Sequence, residues 1–125
     1  MEDAPALADV LDALAEPIPE RLLESKPSGA GSQITYIPWH QAQKMLNHYT
    51  GGFWEYEVTE RERIEGDLYL TVQIIIHCQE RSFARQGTGS EDLEVDSYGD
   101  PQSNAESQAF RRACARFGLG LHLYE

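Results

Sequence analysis

From Leu68 to Cys78 every second residue is apolar: Leu68, Leu70, Val72, Ile74, Ile76 and Cys78 alternate with Tyr69, Thr71, Gln73, Ile75 and His77. Successive side chains of a strand point to opposite faces, so this run predicts a long strand with one face buried. The stretch from Phe53 to Arg63 has the same period, with Trp54, Tyr56 and Val58 inward and Glu55, Glu57 and Thr59 outward. Gly66-Asp67 supplies a turn between the two. Arg81-Ser82-Phe83-Ala84-Arg85 pairs back as a third strand, and residues 86–100, rich in glycine and acids, read as a loop. A meander with one apolar face needs a cover, and helices must provide it.

The strongest cover lies between Pro101 and Gly118. Ser103 and Glu106 have the spacing of a capping box, and Gly118 stands where a helix ends in a left-handed residue. Between them Ala105, Ala109, Phe110, Ala113, Cys114 and Phe117 form one apolar stripe at helical spacing. Gln108, Arg112 and Arg116 are spaced four apart and share a face beside it, while Arg111 projects about 100° further round. Upstream, Leu7, Val10, Leu11 and Leu14 predict a helix over residues 4–15, stopped by Pro17 and Pro19, with a short second helix from Pro19 to Leu23. Lys26 to Ser32 reads as a flexible link and Ile34 to Ile37 as a short strand. Pro38 opens a helix to Tyr49, with Trp39, Ala42, Met45, Leu46 and Tyr49 on its apolar face and Gln43, Lys44 and Asn47 opposite. The expectation is a single α+β domain: an antiparallel sheet of three to four strands, in strand–strand–strand–helix order, with helices packed on one face. Residues 1–25 form an acidic helical segment packed on a core domain of residues 26–125.

Charge sorts the partners. The 125 residues hold 21 acids and 10 bases, a net charge of -11 that taken whole disfavours nucleic acid. Position changes this. Residues 1–25 carry seven acids against Arg21, whereas residues 26–54 carry Lys26 and Lys44 and no acid, and Arg111, Arg112 and Arg116 make the last segment positive. If folding joins those two segments, a basic groove exists on an acidic protein. Cys78 and Cys114 fall on apolar sides and read as buried reduced thiols. No apolar run is long enough to cross a membrane, and the start lacks the basic head of a signal peptide, so a cytoplasmic protein is expected. Gly87-Thr88-Gly89-Ser90 lacks the ending of a phosphate-binding loop and reads as a turn. His40, His48, His77 and His122 have no ligand spacing, and no serine or cysteine has a base and orienting acid nearby. No metal, cofactor or catalytic residue is assigned.

The Phe-Arg-Arg-Ala-Cys-Ala-Arg-Phe-Gly-Leu-Gly run of residues 110–120 resembles the end of the annealing domain in the Rad-fifty-two single-strand annealing superfamily, to which the bacterial DdrA repair proteins belong. Thr35-Tyr36-Ile37-Pro38-Trp39-His40, then Leu46-Asn47 and Gly52-Phe53-Trp54, resembles the family's strand–helix–strand opening. Leu70 to Gly89 resembles its second hairpin. The resemblance covers residues 24–125. It implies an ATP-independent protein, not an enzyme, that binds and anneals single-stranded DNA in recombinational repair. It implies a closed homo-oligomeric ring whose groove holds phosphates with bases facing out, and recombinases or single-strand-binding proteins as partner classes. By residue match, the family's basic pair falls on Arg111 and Arg112, and the base before its glycine-rich link on Lys26; Arg116 and Lys44 complete the expected DNA-binding set. As solvated surface groups, Arg111 and Arg112 together should cost within about 0.5 kcal/mol of stability on removal. Where eukaryotic members place lysines of a second, duplex site, this chain has Asp67 and Glu94.

Three other readings stay open. A double-stranded RNA-binding module shares the helix, three-strand, helix order from residue 38, but the start of its last helix is basic, and here Ser103 to Gln108 holds an acid and no base. An adaptor could use the acidic face to bind a basic partner. A metal-dependent nuclease could use Glu55, Glu57 and the carboxylates from Glu60 to Asp67.

Overall fold

A computed structural model describes residues 3–27, 31–93 and 100–124. Helix α1 (Leu7–Leu14) and a 3-10 turn (Glu20–Leu22) precede an antiparallel ribbon of β1 (Glu24–Pro27) and β2 (Gln33–Tyr36). Helix α2 (Trp39–Thr50) leads into the meander β3 (Trp54–Ile64), β4 (Asp67–His77) and β5 (Ser82–Asp92), and helix α3 (Pro101–Arg116) and a second 3-10 turn (Leu121–Tyr124) follow. The α+β expectation holds, with a three-stranded sheet and a separate two-stranded one. Every apolar residue of the β4 alternation is buried: Leu68, Leu70, Val72, Ile74, Ile76 and Cys78 all face the core. Across from them lie Ala105, Ala109, Phe110, Ala113, Cys114 and Phe117 of α3, and Val10, Leu14, Ala42 and Leu46 close the same core from α1 and α2. Each large apolar side chain among these contributes roughly 1.5–3 kcal/mol by leaving water.

The largest departure from the sequence pattern is in residues 86–100. Composition predicts a loop there and a turn at Gly87 to Ser90, yet β5 runs on to Asp92, paired residue for residue with β4 from His77 to Asp67. The reason is the helix on top. A Cβ built on Gly87 would stand 2.5 Å from the Ala109 carbonyl oxygen and 2.8 Å from the Arg112 carbonyl carbon; one on Gly89 would stand 2.8 Å from the Ala109 nitrogen. The glycines are strand residues that let α3 approach, not turn formers.

Smaller corrections concern the link, the cap and two aromatic residues. The expected link starts as strand: Lys26 and Pro27 pair with Ile34 and Gln33, while Ser28, Gly29 and Ala30 lie outside the described residues, as does Glu94. Helix α3 is capped by Asp100, not Ser103: its Oδ1 accepts from the Gln102 amide at 3.3 Å, and Oδ2 accepts from the Ser103 hydroxyl at 3.1 Å. Glu106 is instead the acceptor for the Tyr56 hydroxyl at 3.5 Å. Trp39, placed on the apolar face of α2, is 49% exposed, and Tyr56 on the edge strand β3 is 43% exposed. The β3–β4 turn is Glu65-Gly66, both with positive φ (48° and 89°), as a two-residue hairpin between twisted strands requires.

The N-terminal segment is tied down at a distant point. The Glu80 carboxylate, between β4 and β5, accepts from the Leu7 amide at 3.1 and 3.2 Å, and the Gln79 amide donates to the Pro5 carbonyl at 2.8 Å. A carboxylate at a helix start offsets the unpaired amides and the positive end of the dipole.

Two outcomes test this packing. Gly87→Ala should lower stability by about 2 kcal/mol or more in thermal or urea melts, because the new methyl meets backbone that cannot swing away. Ala84→Ser, exposed on the same strand, should stay within about 0.5 kcal/mol. Cys114 is fully enclosed and burial pushes its thiol well above the ordinary value. It should resist iodoacetamide at pH 8 in the folded protein and react only after unfolding. Alkylation at the rate of a free thiol without unfolding would contradict the packing.

Candidate nucleic-acid interface

Folding joins the two positive segments. The Lys26 ammonium lies 5.2 Å from the centre of the Tyr36 ring and the Arg111 guanidinium 5.0 Å from it. Strand β1 brings Lys26 and the opposite strand brings Tyr36, while α3 delivers Arg111 from the far end of the chain. Both distances are within cation–π range. The three residues line a groove of about 290 Å³ whose apolar walls are Ile34, Ile37, Leu119 and Leu123. Tyr36 is half-buried, and among the described residues no carboxylate lines that groove. Burial pushes Arg111 below its ordinary value and Arg112 beside it acts the same way, while Tyr124 and Tyr36 act oppositely. Guanidinium stays charged at neutral pH, so this half-buried cation lacks part of its hydration and gains from any anion that reaches it.

Arg112 and Arg116 are not the free solvated groups that the sequence suggests. Strand β5 is the edge of its sheet, and α3 lays three side chains, one per turn, along that edge. Gln108 Oε1 accepts from the Ser90 amide at 2.9 Å; Arg112 Nη1 donates to the Thr88 carbonyl at 2.6 Å; Arg116 Nε donates to the Gln86 carbonyl at 3.1 Å. The face that the four-residue spacing defines is a cap for backbone groups that an edge strand leaves open. Each guanidinium still has donors to spare. Arg112 lines both the Tyr36 groove and a wider open cleft of about 1160 Å³, so it joins the two. In that wider cleft Arg112 and Arg116 are met by Arg85, whose guanidinium stands 5.6 Å from the Phe117 ring centre and donates to the Ala84 carbonyl at 2.8 Å. Lys44 is exposed on α2 and lines neither cleft.

Arg85 is a cation that the sequence-derived set omits. Its signal was a basic residue in register with Phe83 and Gly87, on the side of an edge strand that should face the core. Tyr36 was missed because its role depends on two partners distant in sequence. The sheet face opposite α3 also holds an arrangement invisible in the sequence: Ser82 Oγ is 2.6 Å from His77 Nδ1, and Glu55 Oε2 is 3.0 Å from His77 Nε2. These residues line neither the Tyr36 groove nor the wider cleft. Among the described residues no three His, Cys, Asp or Glu side chains converge to hold a metal ion, and no helix is long and apolar enough to cross a membrane.

Fold and site together define a small α+β domain with a cation-lined groove beside its last helix. Two Arabidopsis thaliana proteins are similar to the chain over nearly its whole length. "DNA repair RAD52-like protein 1, mitochondrial" is 35% identical over 120 residues, which is 94% of this chain and 67% of the relative. "DNA repair RAD52-like protein 2, chloroplastic" is 36% identical over 121 residues, 94% of this chain and 60% of the relative. The chain belongs to the RAD52-like DNA repair family. No protein-family model matches it.

The edge caps make a stability prediction that differs from the surface expectation. Arg112→Ala and Arg116→Ala should each cost about 0.5–1.5 kcal/mol in urea melts, the usual net value of a hydrogen bond. Arg112→Lys should recover only part, since a point charge on a flexible stem replaces a fork already aimed at Thr88. Melts indistinguishable from the parent for both alanine variants would show the edge needs no cap.

Proposed function

We propose that this protein binds single-stranded DNA in DNA repair and anneals complementary strands without ATP. The observation that carries this function is the convergence of Lys26 and Arg111 on Tyr36, in a groove that no carboxylate lines among the described residues, on a chain of net charge -11. A half-dehydrated guanidinium beside an ammonium suits a phosphate, and Arg112 offers its spare donors to the next one. Membership of a family whose named relatives are DNA repair proteins supports the same assignment. Arg116 extends the track toward Arg85; Lys44 stands apart and contributes at most long-range attraction. Contacts to phosphate leave the bases free, as annealing requires.

Few cations per subunit bind weakly alone, so a closed homo-oligomeric ring is part of the proposal: it repeats the groove and raises the effective affinity of each later contact. No turnover is involved, because the protein holds strands and lets pairing do the work. At the β3–β4 turn Asp67 stands opposite Asp92, and Glu91 is next to it, so a second, duplex-holding site is left out of the proposal.

The test is a titration of single-stranded DNA, duplex DNA and duplex RNA of equal length at two salt concentrations, with sedimentation in parallel. Lys26→Ala with Arg111→Ala should weaken single-strand binding alike for all sequences. Its logarithmic salt slope should flatten by roughly 0.7 for each phosphate that a subunit no longer holds. Arg63→Ala, on β3, is the control. Binding unchanged in the double variant, preference for duplex RNA, or a monomer that still binds tightly would overturn the proposal. Strand cleavage in magnesium or manganese that vanishes in Glu55→Gln with Glu57→Gln would replace it with a nuclease.

A further inference from the structure

Trp39 is turned outward at the first turn of α2, 49% exposed, although an indole is among the most favourable side chains to bury. Its contact with His40 is T-shaped, ring centres 5.9 Å apart at 86°, so that neighbour does not stack flat on the indole. Trp39 is also shared by two recesses. One, of about 580 Å³, runs from Trp39 to Lys26, Tyr36 and Arg111, the residues assigned above to phosphate. The other, of about 170 Å³, is lined by Tyr56 and Phe110 together with Glu106.

We propose that Trp39 is a stacking platform for a nucleobase of the strand whose phosphates rest on Lys26 and Arg111. This rests on the single-strand function proposed above and assigns a residue and a ligand group that it did not use. Three observations select a base as the occupant. The groove is continuous with the cationic site, so a strand held there is delivered to the indole. Glu24 and Glu91 also line the groove, so it does not suit an unbroken run of phosphates, while a neutral base carries no charge for these carboxylates to repel. A flat aromatic face takes any base, in keeping with binding that ignores sequence. Stacking engages only the ring face and leaves the pairing edge open, so the indole replaces a neighbouring base without hiding the edge a complement must read.

Phosphate contacts respond to salt and stacking responds little, which separates this proposal from the one it rests on. The probes are oligothymidylate and an abasic strand of equal length and charge, titrated against the full chain at two salt concentrations. Trp39→Ala should bind oligothymidylate roughly tenfold more weakly with an unchanged salt slope, and bind the abasic strand like the parent. Trp39→Phe should keep most of the affinity. In Trp54→Phe, which leaves Trp39 as the sole tryptophan, emission should be quenched by oligothymidylate and not by the abasic strand. Equal binding by Trp39→Ala and parent, with Lys26→Ala plus Arg111→Ala still impaired, would overturn the stacking role alone. So would Trp39 emission already shielded from acrylamide in the DNA-free oligomer, which would assign the indole to a subunit contact. Absence of single-strand binding by the parent would overturn both proposals. If Trp39→Ala fails to fold, the fluorescence arm still decides.

Discussion

Ala105, Ala109 and Ala113 bring the backbone of α3 so close to β5 that Gly87 and Gly89 have no room for a Cβ. Such an approach leaves the helix little freedom to rotate or slide, because its small-residue stripe must stay over the two glycines. Once that contact is set, the directions of the other α3 side chains are set as well. Phe110, Cys114 and Phe117 go into the core, Gln108, Arg112 and Arg116 meet the strand edge, and Arg111 turns toward the β1–β2 ribbon. The basic groove is thus a consequence of helix–sheet packing, and a fault in the packing would displace the cations as a group.

The electrostatics follow the same division. In an acidic chain, isolated arginines would ordinarily find carboxylates. The partners found for these are backbone carbonyls and aromatic rings: Thr88, Gln86 and Ala84 oxygens for Arg112, Arg116 and Arg85, and Tyr36 and Phe117 rings for Arg111 and Arg85. Neutral partners hold a guanidinium in place without cancelling its charge. The potential of the groove survives, whereas a salt bridge would have quenched it.

Period and punctuation carried most of the fold. The alternation of residues 68–78 and the apolar stripe of residues 105–117 each have one physical solution, and α3, β4 and the core match them. Propensity failed where tertiary contact overrode it: glycine pairs read as turns by local rules, but Gly87 and Gly89 answer to a helix that is contiguous only in space. Ser103 lost the cap to Asp100 because the acceptor three residues earlier fixes the first turn with Pro101 at its start. Of the candidate site, the charge arithmetic and the arginine run were legible, and so was the pairing of Lys26 with the last helix. Tyr36 between them was not, nor were Arg85 and the outward Trp39, since each takes its meaning from neighbours on other elements.

Arg111 and Arg112 are adjacent in sequence, yet the fold asks different things of them. Arg112 spends one donor on Thr88, so part of its binding geometry is fixed before any ligand arrives, and little side-chain entropy remains to be lost. Arg111 has a ring beneath it and burial around it, and among the described residues no carboxylate lines the Tyr36 groove, so its charge is the less hydrated of the two. An arriving phosphate therefore gains most from Arg111 in relieved desolvation and most from Arg112 in preorganised direction. The edge of β5 gives the second residue its aim, and the depth of the Tyr36 groove gives the first its appetite for an anion. A lysine at either position would keep the formal charge but lose one of these: the fork that reaches Thr88 and a phosphate together, or the flat contact on Tyr36.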